Sequence, residues 1–359
     1  MAVWENIGRP SAVSRICLIR QYLSLALSLP VHCWHGKERY RRAGAVRPDT
    51  QRDGEYPKKR IKNLSLMPSS DWVDYIEREL DSGIESKTRQ GGGDFAEAWR
   101  VGLVDGRSIF VKTHLQPPVY FFTTEAAGLE WLRDAGAARI PEVLVVSDNP
   151  PCLALEWIEV RTTGARCRKT GEQQFGRELA ALHLAGAAHF GRADGRTTGS
   201  LALPNGACSC WVDFYAQNRL LPLARLGLDR KILSMADVRR IEDVAKALGE
   251  HGARDEKPAR LHGDLWAGNR VIDQTGNSWL VDPAAHGGHR EFDLAMMRLF
   301  GGYDEACFSA YAEVSPLSDG WQDRVPLHQL APLIVHAIKF GGSYLDATRA
   351  ALASLAGVG

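Results

Sequence analysis

The sequence has 359 residues, of which 45% are hydrophobic and 24% charged, as in an ordinary globular protein with room for two domains. The net charge is +1, but residues 1–66 hold 13 basic against 5 acidic residues, which leaves 31 basic against 38 acidic residues in the rest. This acidic body argues against nucleic acid as a partner, because phosphate backbones bind to positive surfaces. No apolar run reaches the roughly 20 residues of a membrane-spanning helix.

The seven cysteines are an odd number without disulfide-like spacing, which favours reduced thiols and a cytoplasmic location. The histidines form no cluster in the sequence that suggests a zinc site. We therefore expect a cytoplasmic protein that acts on a small molecule.

The first 66 residues differ in character from the rest of the chain. Residues 36–62 are rich in Arg, Lys, Gly and Pro and have no helical or strand period, which is typical of disorder. Helix-capping residues follow Met67 and precede apolar residues at helical spacing. We expect residues 1–66 to be either a disordered extension or an upstream stretch absent from the native protein, which then begins at Met67. A tryptic peptide from residues 1–60 of the native protein would exclude the second alternative.

Residues 67–160 carry the pattern of a small sheet with one helix. Strands are predicted at residues 95–104, 108–112, 143–146 and 153–158, and a helix at residues 123–135. The pair Asp105-Gly106 between the first two strands is a strong hairpin signal. Residues 161–359 are mainly helical, most clearly at residues 175–189, 211–221 and 236–248. This order predicts an α+β, protein-kinase-like fold, with residues 67–160 as the N-lobe and residues 161–359 as the C-lobe.

One short loop offers the groups that phosphoryl transfer requires. Such a reaction needs a carboxylate that accepts the proton of the attacking hydroxyl, and oxygen ligands that hold Mg²⁺ against the phosphates of ATP. Asp264 is the predicted base, and Asn269, five positions later, is a predicted metal ligand. Asp282 follows the next strand and is the second predicted metal ligand. The order and spacing of the three residues make this signal specific.

The predicted sheet supplies complementary groups for ATP. Gly91, Gly92 and Gly93 form a turn in which backbone N–H groups can approach phosphate, although their spacing differs from that of protein kinases. Lys112 closes an apolar strand and Glu125 lies in the following helix. A Lys–Glu pair of this kind orients the ammonium group toward the α- and β-phosphates.

Two further groups of residues are candidates for contact with ATP or the acceptor. Residues from Glu156 to Ile158 would form the hinge between the lobes, whose backbone meets adenine. Trp266 is a candidate platform for a sugar, because an indole face stacks well on C–H groups or on a cationic amine. His289 and Arg290 are candidates for contact with substrate or phosphate.

Several motifs together resemble the fructosamine kinase family. They are His-Gly-Asp-Leu-Trp-Ala-Gly-Asn at residues 262–269, Gly-His-Arg-Glu at residues 288–291, Phe-Val-Lys at residues 110–112, Trp-Val-Asp-Phe-Tyr at residues 211–215 and Lys-Phe-Gly-Gly-Ser-Tyr at residues 339–344. The likeness extends from about Trp72 to Tyr344. The related aminoglycoside and choline kinases share the His-Gly-Asp loop but lack the Trp-Ala-Gly insert.

The resemblance implies transfer of the ATP γ-phosphate to the 3-hydroxyl of a ketosamine, a sugar rearranged onto an amine by glycation. Such adducts are fructosamines, ribulosamines or erythrulosamines, free or protein-bound, and their phosphorylation is a deglycation repair. The family's base falls on Asp264 and its metal ligands on Asn269 and Asp282. Its phosphate-binding lysine falls on Lys112, with Glu125 as partner. We expect Asp293 to brace the catalytic loop by accepting its backbone N–H groups.

Two alternatives remain open at this point. The chain is a kinase of another acceptor, such as an aminoglycoside, a choline-like molecule or another sugar, or it is a non-catalytic nucleotide-binding regulator. The second alternative is disfavoured by the sequence, since every expected catalytic position is filled.

Overall fold

The computed structural model describes residues 71–91, 96–160, 169–250 and 256–356. The expectations for residues 1–66, and those for Gly92 and Gly93, lie outside the described residues. Among the helices that are described, none combines the length and the apolar character needed to cross a bilayer.

A five-stranded antiparallel sheet dominates the first half of the described chain. Its strands are β1 (Ile84–Gln90), β2 (Glu97–Leu103), β3 (Ser108–Thr113), β4 (Val143–Asp148) and β5 (Pro151–Glu156), in the spatial order β1-β2-β3-β5-β4. Helix α1 (Asp71–Leu80) precedes the sheet, and helix α2 (Phe121–Arg133) connects β3 to β4. The predicted hairpin at Asp105-Gly106 is confirmed, since Leu103 donates its N–H to the carbonyl of Arg107 at 2.8 Å.

Strand β3 lies in the middle of the sheet, and Lys112 is its penultimate residue. Lys112 pairs with Ala98 on one side and with Leu153 on the other. Val111 and Ile109 point to the opposite face, where they join an apolar cluster that includes Ile76 of α1. The alternation of the strand therefore turns Lys112 away from this cluster.

The second half of the described chain is mainly helical. Its helices are α3 (Lys169–Leu184), α4 (Trp211–Tyr215), α5 (Leu221–Asp229), α6 (Met235–Ala247), α7 (Glu291–Phe300), α8 (Glu305–Val314), α9 (Trp321–Phe340) and α10 (Ser343–Leu355). A π-helical turn (Ala216–Leu220) joins α4 to α5. The small sheet followed by a helical part confirms the predicted α+β architecture.

Two short antiparallel strand pairs hold the predicted catalytic residues. Strand β6 (Ala259–Leu261) pairs with β9 (His286–Gly288), and β7 (Arg270–Ile272) pairs with β8 (Ser278–Leu280). The segment 262–269 runs from β6 to β7, and the segment 281–285 runs from β8 to β9. The two connections therefore lie side by side, and this brings residues 264, 269 and 282 together.

A buried ion pair fixes β7 to helix α3. Arg270 donates to Glu172 at 2.8 Å, and both side chains are almost fully buried. The guanidinium group also lies 4.3 Å from the ring centroid of Phe175 and donates to the hydroxyl of Ser278 at 2.9 Å. The ion pair thus anchors strand β7, which follows the predicted catalytic loop at residues 262–269.

We expect Glu172→Ala to lower the free energy of unfolding by about 3 to 5 kcal/mol, because it leaves the Arg270 charge buried without its carboxylate. The matched control is Glu313→Ala, which removes an exposed partner of Arg177 at 2.9 Å and should cost less than about 1 kcal/mol. Urea denaturation of the two variants measures both values. Equal losses would contradict the anchoring role of the buried pair.

Candidate active site

A cavity of about 590 Å³ lies between the sheet and the helical part. Its walls include most of the residues singled out in the sequence, namely Gly91, Lys112, Glu125, Glu156, Ile158, Asp264, Trp266, Asn269 and Asp282. The volume falls within the range of small-molecule sites in proteins.

Lys112 is held between two carboxylates at the inner end of the cavity. Its Nζ donates to Glu125 at 2.6 Å and also to Asp282. Burial alone lowers the pKa of Lys112, but the charges of Asp282 and Glu125 outweigh it and raise that pKa above its ordinary value. The Lys112 side chain is therefore protonated. Of its two partners, Glu125 is buried and Asp282 is half exposed.

The backbone of Asp282 has an uncommon conformation. Its φ is +56°, in the left-handed region that residues other than glycine rarely adopt. Such conformations persist only where surrounding contacts impose them, and they concentrate at functional sites. Here the turn after β8 directs the Asp282 carboxylate to Lys112.

Asp264 lies in the cavity with its carboxylate hydrogen-bonded to Asn269. The Asn269 Nδ2 group donates to Oδ2 of Asp264 at 3.1 Å and to its backbone carbonyl at 2.8 Å. Burial is the main cause that raises the pKa of Asp264 to about 7, and the charge of Asp282 adds to the rise. The hydrogen bond from Asn269 opposes the rise. A carboxylate with a pKa near neutrality is suited to accept and release protons.

The turn before Asp264 requires glycine at position 263. The φ of Gly263 is +81°, and a Cβ atom there would lie 2.2 Å from the carbonyl oxygen of Ala284. His262 accepts the N–H of Asp264 on Nδ1 at 3.3 Å and faces the carbonyl of Val281 with Nε2 at 2.9 Å. This pattern places the proton on Nε2, and burial lowers the pKa of His262, so the imidazole is neutral.

Asp293, at the start of α7, binds the backbone of the catalytic loop. Its two carboxylate oxygens accept the N–H groups of His262 at 2.8 Å and of Gly263 at 3.0 Å. Burial raises the pKa of Asp293, but its hydrogen bonds with His183 and with the Gly263 N–H outweigh burial and lower that pKa. The carboxylate is therefore ionised, and it lies beneath the loop, outside the cavity.

His183 is a supporting residue that sequence reasoning missed. Its Nε2 lies 3.3 Å from Asp293, and its Nδ1 lies 2.8 Å from the hydroxyl of Tyr311. In the sequence, His183 is recognisable only as part of a Leu-His pair on a helix. That pair does not indicate a contact with a residue 110 positions away.

Trp266 is held against the loop by a glycine two positions later. A Cβ atom at Gly268 would lie 2.1 Å from the indole ring, so the ring packs directly on the bare backbone. The edge of the indole contacts Phe300, with ring centroids 6.1 Å apart. Trp266 is nevertheless 39% exposed and lines the cavity, so part of this residue remains available to a ligand.

The structure places His289 and Arg290, which were predicted to contact substrate or phosphate, outside the lining of the cavity. Arg290 donates to both carboxylate oxygens of Glu256 at 2.7 to 3.0 Å and to the hydroxyl of Ser315. His289 is buried, with its ring 5.2 Å from that of Trp211. Neither residue lines the cavity, because the chain after β9 turns into the helical core.

The fold also forms a buried histidine cluster that the sequence spacing does not reveal. His289, Glu291 and His328 bring their donor atoms within 4.8 Å of one another. Arg324 occupies both oxygens of Glu291, at 2.9 and 2.5 Å, and His289 uses Nδ1 to accept the Glu291 N–H at 3.2 Å. The carboxylate is thus already neutralised by a guanidinium group, so we interpret the cluster as an ion-pair network of the core.

Comparison with known proteins identifies the family. A sequence profile described as fructosamine kinase matches residues 70–356, a range that includes every helix and strand described above. The chain belongs to the fructosamine kinase family. A relative from Synechocystis, described as a probable ketoamine kinase, is 37% identical over 249 residues, which are 67% of this chain and 81% of that protein.

Solved structures agree with this assignment. A candidate fructosamine-3-kinase from Thermobifida fusca is 38% identical, covers 80% of this chain and all of its own, and has a TM-score of 0.72. The aminoglycoside phosphotransferase APH(4)-Ia, solved with ADP and hygromycin B, covers 81% of this chain and 98% of its own, with a TM-score of 0.55 and 11% identity. That second likeness shows the protein-kinase-like fold alone.

ATP use follows from membership of the fructosamine kinase family, and the cavity fits this nucleotide. Ile158 lines the cavity wall, and its backbone N–H and C=O groups have no hydrogen-bond partner among the described residues. Lys112 offers a cation for phosphates. Asp282 and the amide oxygen of Asn269 offer the oxygen ligands that Mg²⁺ prefers.

The substitution Asp264→Asn should increase the folding stability of this fructosamine kinase family member more at neutral pH than at acidic pH. Because the folded pKa of about 7 exceeds the ordinary value of 3.8, the folded protein binds this proton more tightly than the unfolded chain. The resulting stabilisation is complete below about pH 4 and is lost as the pH rises through about 7. The variant avoids this loss, so its Tm advantage should grow between about pH 5 and pH 7 and then stay constant. A pH-independent difference in thermal unfolding would contradict the raised pKa.

Gly268→Ala should weaken acceptor binding and spare ATP binding. The added methyl group must displace the Trp266 indole, and loss of an aromatic contact worth about 0.5–1.5 kcal/mol corresponds to a rise of about two- to tenfold in the acceptor KM. Gly206→Ala is the control, since a Cβ there meets only Asn218, at 3.9 Å. Steady-state kinetics with each substrate varied in turn measures both constants. An unchanged acceptor KM would contradict the prediction that Trp266 contacts the acceptor.

Proposed function

We propose that this protein is an ATP-dependent ketosamine kinase, which phosphorylates the 3-hydroxyl of a glycated amine and so allows the amine to be recovered. Family membership supports a phosphotransferase of this general kind. The observation that carries the finer proposal is the position of Asp264, a carboxylate with a pKa of about 7, beside an indole face in one open cavity. The family's relatives named above support a ketosamine as the acceptor.

In this proposal, Asp264 orients the acceptor hydroxyl and accepts its proton. The hydroxyl oxygen forms a bond to the γ-phosphorus while the bond from that phosphorus to the β,γ-bridging oxygen breaks, and ADP leaves. Asp264 then releases the proton to solvent. Because the reaction needs no covalent enzyme intermediate, catalysis depends on position and on stabilisation of charge.

The remaining polar groups of the site act on ATP. Lys112 would bind the α- and β-phosphates, held in place by Glu125, and Asn269 with Asp282 would hold Mg²⁺. The bound ion supplies positive charge that neutralises the phosphates. Asp282 now pairs with Lys112, and a metal ion would compete for the same carboxylate. Asp293 acts as a positioning residue, since its carboxylate fixes the backbone on which Asp264 stands.

The proposal is tested by ADP release from Mg·ATP with lysine adducts of fructose, ribulose and erythrulose, beside kanamycin and choline. We expect turnover on at least one ketosamine. Asp264→Asn should lower kcat by about 10²- to 10⁴-fold, as loss of a positioned base does. Asp243→Asn, an exposed aspartate on α6, is the matched control and should retain wild-type turnover.

The outcomes separate the alternatives. Turnover on kanamycin or choline without turnover on any ketosamine would keep the kinase mechanism and overturn the proposed substrate. Tight binding of ATP without turnover on any acceptor would favour a nucleotide-binding regulator. Retention of more than about a tenth of kcat by Asp264→Asn would contradict its role as base.

A further inference from the structure

The cavity carries a second cation whose charge is not used by the mechanism above. Lys339 lies at the end of α9 and lines the same cavity as Asp264 and Trp266. Lys339 is an exposed residue, and its Nζ lies 5.1 Å from the ring centroid of Phe340. Lys112 and Lys339 are the two lysines among the described lining residues.

The ionic partners of the two lysines differ. Lys112 pairs with two carboxylates, whereas Lys339 forms no ion pair with any described residue. The carbonyl ends of α9 stabilise a cation in its last turn. The charge of Lys339 reaches Asp264, where it opposes the rise of that pKa, although the two groups form no ion pair. Lys339 thus offers a free positive charge close to the proposed base.

A cation without an ionic partner at this position would discriminate between ketosamines by the charge of their amine part. The amine nitrogen of a ketosamine is itself cationic when protonated, so a second cation nearby disfavours an acceptor without negative charge. An acceptor that carries a carboxylate on the amine part compensates that repulsion by pairing with the ammonium group. Trp266 meets Phe300 edge to face, and the Lys339 ammonium group lies over the Phe340 ring. Since Trp266 and Lys339 both line the cavity, its proposed acceptor side combines an indole with a cation.

We propose that Lys339 is a specificity residue that binds a carboxylate on the amine part of the acceptor, so that ketosamines of free amino acids are preferred over uncharged analogues. This inference rests on the proposed function. The carboxylate is favoured over the phosphates of ATP as the partner of Lys339, because Lys112, Asn269 and Asp282 already serve the phosphates. An exposed ion pair is worth up to about 1 kcal/mol, which corresponds to about fivefold in kcat/KM.

The test compares two acceptors of equal size, the glycine and the glycinamide adducts of whichever ketose gives the highest turnover. Wild-type protein should prefer the glycine adduct by about fivefold in kcat/KM. Lys339→Met should reduce this ratio to about one, and Lys339→Arg, which keeps the charge, should restore most of it. Because each value is a ratio within one variant, partial loss of folded protein does not affect it.

Each outcome bears on the proposal. Equal loss on both acceptors in Lys339→Met, with the ratio intact, would overturn it and place Lys339 on the phosphoryl group. A wild-type ratio near one would overturn it as well. Absence of turnover on every ketosamine, including both adducts, would overturn the proposed function together with this inference. Turnover on both adducts without a preference for the glycine adduct would overturn this inference alone.

Discussion

The pairing of Lys112 with Glu125 and Asp282 is the interaction on which the rest of the site depends. It joins three separate parts of the fold, since Lys112 lies on the central strand β3, Glu125 on α2 and Asp282 on the connection from β8 to β9. A buried ammonium group without these carboxylates would be strongly unfavourable. The sheet and the catalytic connections are therefore held at a fixed separation, and the cavity lies in the space between them.

The catalytic loop is stabilised mainly through its backbone. Asp293 accepts two of its N–H groups, His262 accepts a third, and Gly263 allows the turn to approach the neighbouring connection. These contacts fix the path of the backbone, and the side chains of Asp264, Trp266 and Asn269 line the cavity from it.

The parts of the site that follow local spacing could be predicted, and the parts that depend on distant contacts could not. Asp264, Asn269 and Asp282 follow from their order along the chain. Strand β1 was not predicted, because its sequence is polar and its residues are mostly exposed, so no apolar alternation reveals it. His289 lies in the core and not in the cavity lining, which could not be predicted because a sequence does not show which residues of a loop turn into the core. The roles of the individual site residues stay predictions until variants are measured.

The contact between Trp266 and Gly268 has a consequence for divergence within the family. The indole occupies the space that any side chain at position 268 would need. Any side chain at position 268 must displace this indole, whereas a smaller residue at position 266 would leave room for it. Changes at the two positions are therefore coupled, and a substitution at either one alters the shape of the cavity next to Asp264.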